Sequence, residues 1–412
     1  MRCRALVIVL GVALNADAAP AQDRAGAPYV NPHARDVIGT VRQMYDGALT
    51  PDLAVSTFRN IDRLFPTRTI AHGAKPMALP RAAAPLRAVT FTSRGTLYTL
   101  DDYLRLNRVS GLLVLKNGRV AAERYAFGNT PRTRWMSMSV AKSITSTLIG
   151  AAIKDGAIGS IDDPVTKYVP RLVGSAYDGV TIRQLLMMAS GVRWNETYTD
   201  PASDRRRLLD VQISQRAGGA VELMRALPRA AAPGTVNNYS TGETQIAGEV
   251  VRGAVGKPLA QYLSEKIWQP FGMETDASWW LDSPNGHEIG GSGVSATLRD
   301  YGRFGLFFLG GGVVGAASIL PSGWREEAST PKTLTGGHAL NYGYMWWPSS
   351  DGAFSAVGIF GQAIYINPRE QVVIVQWSAH TKPTGGEVIQ PDDFFRAVSA
   401  ALRRGNDKRE LR

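Results

Sequence analysis

The sequence predicts an α/β protein, a sheet domain into which a helical lobe is inserted. Three observations carry this. A hairpin signal stands at 111–125 and a second at 359–377, near opposite ends of the chain, and the stretch between them is dominated by helical spacing. Strands at both ends of the chain with a helix-rich middle suggest a sheet domain with a helical lobe inserted in it.

Taken in order, residues 1–4 are basic, 5–14 are an apolar run, and Ala19-Pro20-Ala21 offers a small-residue cleavage site. This pattern reads as a secretory signal peptide over 1–21. A membrane anchor needs an apolar span of about 20 residues, so no span is expected. The mature protein is then secreted or periplasmic. Cys3 is the one cysteine, so removal of the leader leaves none for a disulfide framework, a zinc ribbon or a thiol nucleophile. Residues 67–88 are rich in alanine and proline without a sustained period, and 22–90 as a whole is expected to be an extended segment. The main domain is expected over 91–402, with a polar tail at 403–412. Within it Leu112-Leu113-Val114-Leu115 and 120–125 flank Lys116-Asn117-Gly118-Arg119, and Asn-Gly is the preferred two-residue hairpin turn. Residues 139–153 place Val140, Ile144, Leu148, Ile149 and Ala152 at helical spacing before an Asp155-Gly156 stop. Helices are also expected at 181–188, 258–268 and 297–309. The runs 359–366 and 371–377, separated by Asn367-Pro368-Arg369-Glu370, form the second hairpin.

Composition narrows the function. At 44% hydrophobic and 20% charged the chain is water-soluble and globular, with enough apolar material for a sizeable core. The formal net charge of +11 is spread along the chain, and the dense cluster Arg205-Arg206-Arg207, flanked by Asp204 and Asp210, reads as a solvated insertion. No basic stripe with stacking aromatics appears, so nucleic acid is not an expected partner. The five histidines lack metal-ligand spacing. No G-x-S-x-G elbow and no H-E-x-x-H helix is present.

The segment that points to chemistry is Ser139-Val140-Ala141-Lys142. Residues three apart on a first helical turn share a face, so the Lys142 amine can lie beside the Ser139 hydroxyl. A buried lysine loses its proton more readily and can act as a base, and a helix N-terminus aims free amides at an oxyanion. The plain alternative is an N-cap serine with a solvated lysine. A second copy, Ser329-Thr330-Pro331-Lys332, has the same spacing, but Pro331 and the Thr- and Gly-rich stretch after it argue for a loop.

One hundred residues after Ser139, Tyr239 stands in Asn238-Tyr239-Ser240-Thr241, a tyrosine in a polar turn. With the strings WMSMSVAKSITS, IDDPVTKYVP, GSAYDGVTIRQLLMMASGV, WNETYTDP, GVSATLRDYGRFG and GIFGQAIYINP, the chain resembles the serine β-lactamase and penicillin-binding superfamily, and more closely its 6-aminohexanoate-dimer hydrolase and esterase branch. The resemblance runs over roughly residues 95–380. It implies a β-lactamase-like sandwich, an antiparallel sheet flanked by helices plus a helical lobe, with the site between them and no metal or organic cofactor. It further implies Ser139 as nucleophile, Lys142 as its base and Tyr239 as proton carrier. The oxyanion hole would be the amides of Ser139 and Ile359, and Tyr198, Thr241 and Gly358 would face the substrate. For Tyr198 a surface aromatic before an Asp-Pro turn is an equal alternative.

Two departures bear on substrate. The superfamily's Lys-Thr-Gly is Ala356-Val357-Gly358 here, which removes the side chains that bind a β-lactam carboxylate, and Thr241 stands where penicillin-recognising relatives place asparagine. Trp279-Trp280 and Trp346-Trp347 are candidates for an apolar acyl pocket, although adjacent residues on a strand face opposite ways. The expected protein is an exported serine hydrolase of small linear amides or esters, acting through an acyl-enzyme on Ser139. A penicillin-interacting D-alanyl peptidase or class C-like β-lactamase is the alternative, and a non-catalytic binding protein on the same scaffold a third. The oligomeric state is not legible.

Overall fold

The computed structural model describes residues 29–410, so the expected signal peptide and Cys3 lie outside the described residues. A six-stranded antiparallel sheet runs in the order Trp347–Pro348, Phe354–Gly358, Gln362–Asn367, Val372–Ser378, Val109–Lys116, Arg119–Tyr125. The two ends of the chain thus meet where Val372–Ser378 pairs with Val109–Lys116. Asn117 (φ 50°) and Gly118 (φ 72°) make the expected tight turn, both in the left-handed region that Asn and Gly adopt most readily. The second hairpin differs in its bounds. Residues 359–361 are not strand but a turn, with Phe360 and Gly361 at positive φ, and this bend brings the end of Phe354–Gly358 up to the site.

Each face of the sheet is buried. The Pro391–Glu410 and Leu100–Leu106 helices cover one, packing Phe394, Phe395 and Tyr103 over Val114 and Ile374. The Leu298–Leu309 and Val140–Lys154 helices cover the other, over Leu113, Ile364, Val373 and Val375. Strands covered on both sides read as continuous apolar runs, which is why 112–115 and 372–375 do not alternate. Beyond this layer a four-stranded sheet orders Thr67–Ile70, Ala277–Trp280, Val294–Thr297 and Arg134–Met136. The helical lobe comprises Ile182–Leu186, Asp204–Ile213, Gly219–Arg225 and Thr241–Val255.

Three expectations are corrected. The segment 22–90 is not extended throughout: Thr40 and Thr50 cap the short helices Val41–Asp46 and Pro51–Phe58, and Thr67–Ile70 pairs with Ala277–Trp280. Buried Met44, Tyr45, Ala54 and Phe58 supply the apolar face that holds them. The domain does not give way to a separate tail after 402, because Pro391–Glu410 continues as one helix. The arginine cluster is not a solvated insertion. Ser203 caps the Asp204–Ile213 helix so that Arg205 and Arg206 face inward beside Leu208 and Leu209, at 2% and 4% exposure, and only Arg207 of the three remains at the surface.

Candidate active site

The approach to Ser139 is built from a short strand and an abrupt turn. In Arg134–Met136, Trp135 stacks on Trp377 with ring centroids 5.6 Å apart. Ser137 exchanges hydrogen bonds with Val294, its N donating to Val294 O at 2.8 Å and its Oγ accepting from Val294 N at 3.1 Å. Met138 then adopts φ 41°, a left-handed conformation that costs a non-glycine residue energy and has to be held by its surroundings. The Val140–Lys154 helix starts immediately after, with Ser139 as N-cap and its side chain free of any capping bond.

That helix is buried along Val140 to Ala152 despite its hydroxyl-rich sequence. Each hydroxyl finds a backbone acceptor, as buried polar groups must. Ser143 Oγ donates to Met345 O (2.6 Å), Thr145 Oγ1 to Gly290 O (2.7 Å), Ser146 Oγ to Tyr344 O (2.7 Å) and Thr147 Oγ1 to Ser143 O (2.7 Å). Gln245 completes the clamp on 288–290, donating to Glu288 O and accepting from Gly290 N.

Lys142 lies in this clamp. Its Nζ donates to Thr241 Oγ1 at 2.9 Å and to Gly291 O at 3.0 Å, and sits 5.4 Å from the centre of the Tyr239 ring. Burial pushes the amine down to about 7, Glu196 opposes that shift and Arg205 adds to it. Burial likewise raises the Tyr239 hydroxyl, partly offset by a hydrogen bond with Ser139. Ser139, Lys142 and Tyr239 therefore converge, from a helix start and from the loop before the Thr241–Val255 helix.

Gly358 closes the opposite wall. A Cβ there would lie 2.7 Å from Ser137 O and 3.0 Å from Ser139 N, so only glycine lets this strand approach the serine so closely. Ile359 follows at once, and neither its N–H nor that of Ser139 donates a hydrogen bond to another group among the described residues. Val357, in place of a threonine, is 45% exposed.

Thr241, expected on the substrate side, is instead 3% exposed and committed inward: it accepts from Lys142 and donates to Glu196 Oε1 at 2.5 Å. Tyr198 is half-buried 6.3 Å from the Tyr45 ring, and burial together with Glu196 raises its hydroxyl. Of the tryptophan pairs, Trp279 and Trp280 are both core, their indole N–H groups bonded to Ile289 O and to Ile61 O. Trp346 stacks on Phe308, whereas Trp347 is 39% exposed and packs on Tyr342 (4.7 Å) and Tyr239 (5.8 Å). The sequence reading missed Glu196, Arg205, Tyr45 and the Gly291 carbonyl. Glu196, two residues from Tyr198 in WNETYTDP, lay in a segment already singled out, and Arg205 stood in the arginine cluster that was read as solvated.

With this geometry in place, comparison with known proteins is specific. The profile of the beta-lactamase family matches residues 105–393. The chain belongs to the beta-lactamase family. It is 31% identical over 348 residues to 6-aminohexanoate-dimer hydrolase of Paenarthrobacter ureafaciens, covering 79% of this chain and 85% of that one. It is 30% identical over 262 residues to D-aminopeptidase of Brucella anthropi, covering 56% of this chain and 47% of the relative. A solved structure provisionally described as a 6-aminohexanoate-dimer hydrolase from Bacillus anthracis superposes with a TM-score of 0.73 at 25% identity, over 86% of this chain and 93% of that one. The protein is a serine hydrolase of this family, of amidase or esterase type, and the expected sandwich of antiparallel sheet and helices is the fold observed.

Proposed function

We propose that the protein is exported and hydrolyses small linear amides or esters, of the kind its resemblance to 6-aminohexanoate-dimer hydrolase suggests, through an acyl-enzyme on Ser139. The observation that carries this reading is Lys142, a buried amine with a pKa pushed down to about 7, on the first turn of the helix that Ser139 begins. A lysine so perturbed is half deprotonated near neutral pH and can take the serine proton.

In this reading Ser139 Oγ attacks the carbonyl carbon as its proton passes to Lys142. The amides of Ser139 and Ile359 stabilise the oxyanion, helped by the helix N-terminus. Tyr239, hydrogen-bonded to Ser139, relays the proton to the leaving amine or alcohol, and water then releases the acyl group by the reverse relay. Tyr198 and the Tyr239–Trp347 face border the substrate. Ala356 and Val357 supply no partner for a carboxylate beside the reactive carbonyl, and a desolvated anion without one is costly. Penicillins should therefore acylate slowly, and a linear substrate whose charge lies farther from the scissile bond loses little.

Export is supported by the leader pattern in residues 1–21, and N-terminal sequencing of protein recovered outside the cytoplasm should begin near Gln22. The catalytic test is intact-mass spectrometry after exposure to a fluorophosphonate and, separately, to a penicillin. Labelling of Ser139 by the first alone supports the proposal. Faster acylation by the penicillin than by any linear amide or ester would transfer the protein to the penicillin-interacting class.

A further inference from the structure

We propose that Glu196 and Arg205 form a buried counter-ion pair that keeps Lys142 a free amine with its lone pair directed at Ser139, a positioning role that rests on the reading of Lys142 as base. Glu196 receives three donors: Thr241 Oγ1 at 2.5 Å and Trp194 Nε1 at 2.5 Å, with Thr241 N at 2.9 Å. A carboxylate so surrounded can only accept. The single hydroxyl proton of Thr241 is thereby committed to Glu196, so its oxygen can only accept from Lys142. Gly291 O can only accept as well. Both N–H bonds of a neutral amine are then assigned, and what remains for the serine is the lone pair. An ammonium held by the same two acceptors would turn a third N–H toward Ser139 and could not act as a base.

Charge decides between the two forms. A buried carboxylate near a lysine ordinarily favours the ammonium. Here a second cation takes that role. Arg205 Nε lies 4.0 Å from Glu196 Oε1, its guanidinium covers the Tyr45 ring at 4.5 Å, and its Nη2 donates to the Tyr45 hydroxyl. Its side chain is 2% exposed, and Nε and Nη1 have no hydrogen-bond partner among the described residues, so its tie to Glu196 is one of charge. Two cations and one anion in a buried site leave one positive charge uncompensated. Arginine cannot release its proton and lysine can.

The other groups facing Lys142 do not disturb this balance. Tyr239, Tyr198 and Tyr45 have their hydroxyls raised by burial and stay neutral. Glu243, two residues beyond Thr241, is pushed up to about 8 by burial and accepts from Ser190, so it is mostly uncharged at pH 7. Arg206 is paired with Asp46 at 2.7 Å.

The experiment is the pH dependence of Ser139 labelling by a fluorophosphonate in the full-length protein. Ser139 Oγ bonds to phosphorus, its proton goes to Lys142, and the P–F bond breaks to release fluoride. The rate therefore follows the free amine and needs no acid for the leaving group. In Arg205→Met the labelling midpoint should rise by about one pH unit, the size of a unit-charge interaction at roughly 10 Å in a partly buried site. Arg205→Lys should stay near wild type, Glu196→Gln should move the midpoint down, and the Arg205→Met/Glu196→Gln double variant should return toward wild type. An unchanged or lowered midpoint in Arg205→Met overturns the proposal. If near-UV circular dichroism shows that Arg205→Met does not fold, Glu196→Gln decides, and a midpoint at or above wild type overturns it. Absence of labelling in the wild type would overturn the reading of Ser139 itself, and with it the role proposed for the pair.

Discussion

Ser139 and Ser329 each stand three residues before a lysine, and the two pairs differ in where the fold places them. Ser139 begins a long helix, whereas Ser329 ends the short Trp324–Ser329 helix. Amides converge on the first and carbonyls on the second, so an oxyanion is favoured at one and repelled at the other. Lys142 is buried between Thr241 Oγ1 and Gly291 O. Lys332 opens the two-residue strand Lys332–Thr333 and donates to Glu327 O and Thr330 Oγ1, 4.5 Å from the Tyr344 ring. Burial lowers the pKa of both lysines, and at each site a carboxylate opposes that shift while an arginine adds to it, Glu196 with Arg205 at Lys142 and Glu327 with Arg183 at Lys332. The charges around the two lysines are therefore alike, and the difference is that Lys142 is buried whereas Lys332 is only partly covered. The three-residue spacing is common to both pairs. Reactivity depends on the helix end that carries the serine and on how fully the lysine is buried.

Substitutions at matched positions test that contrast. Ser139→Ala should abolish turnover of a p-nitrophenyl ester, a loss of at least about 10³-fold, while Ser329→Ala stays within about twofold. Comparable activity in the two variants would remove the distinction altogether. Lys142→Ala should cost about 10² to 10⁴-fold, the usual worth of a positioned base, and Lys332→Met almost nothing. Tyr239→Phe should slow amide cleavage about tenfold more than cleavage of the activated ester, because a phenolate departs without a proton and an amine does not. Equal slowing of both substrates would take the relay away from Tyr239.

Two smaller effects depend on pH. With Lys142 near 7, ester kcat/KM should rise from acid to a plateau with a midpoint close to 7, and Lys332→Met should leave that midpoint in place. Stability should follow the same group. The folded-state pKa is depressed from 10.5 to about 7, so between those values the unfolded chain binds a proton that the native protein does not, and stability rises with pH across that window. Below it the full cost of burying an ammonium applies. Lys142→Met should therefore melt about a few degrees higher than wild type at pH 6, and the difference should shrink toward pH 10. A constant difference across that range would mean that Lys142 does not titrate there.

What was legible in the sequence was local. The Asn117-Gly118 turn, the Ser139 helix and its stop at Asp155-Gly156 follow from backbone preferences within a few residues, and the structure reproduces them. Ser139, Lys142 and Tyr239 were found because a serine-lysine step and a tyrosine turn are recognisable strings, and the fold brings the three together. Arg205 was misread for a physical reason: three consecutive arginines look solvated unless it is known that Ser203 caps a helix which turns two of them inward. Tyr45 could not be placed, because its contact with Arg205 is made by tertiary packing across 160 residues. Thr241 was assigned to the substrate by its position in a motif, and only its hydrogen bonds reveal that it faces Lys142.

The Val140–Lys154 helix offers no solvent-facing residue from Val140 to Ala152 and fastens its hydroxyls to two neighbouring segments, at 344–345 and at Gly290. Selection for a new substrate therefore has almost no adjustable positions on the element that carries the proposed nucleophile. The adaptable positions in the proposed site are those less buried than this helix, Tyr198, Trp347 and Val357. A directed-evolution library confined to these three would explore acyl and leaving-group preference while the reactive centre stays fixed, which makes chemistry and specificity separable traits in this protein.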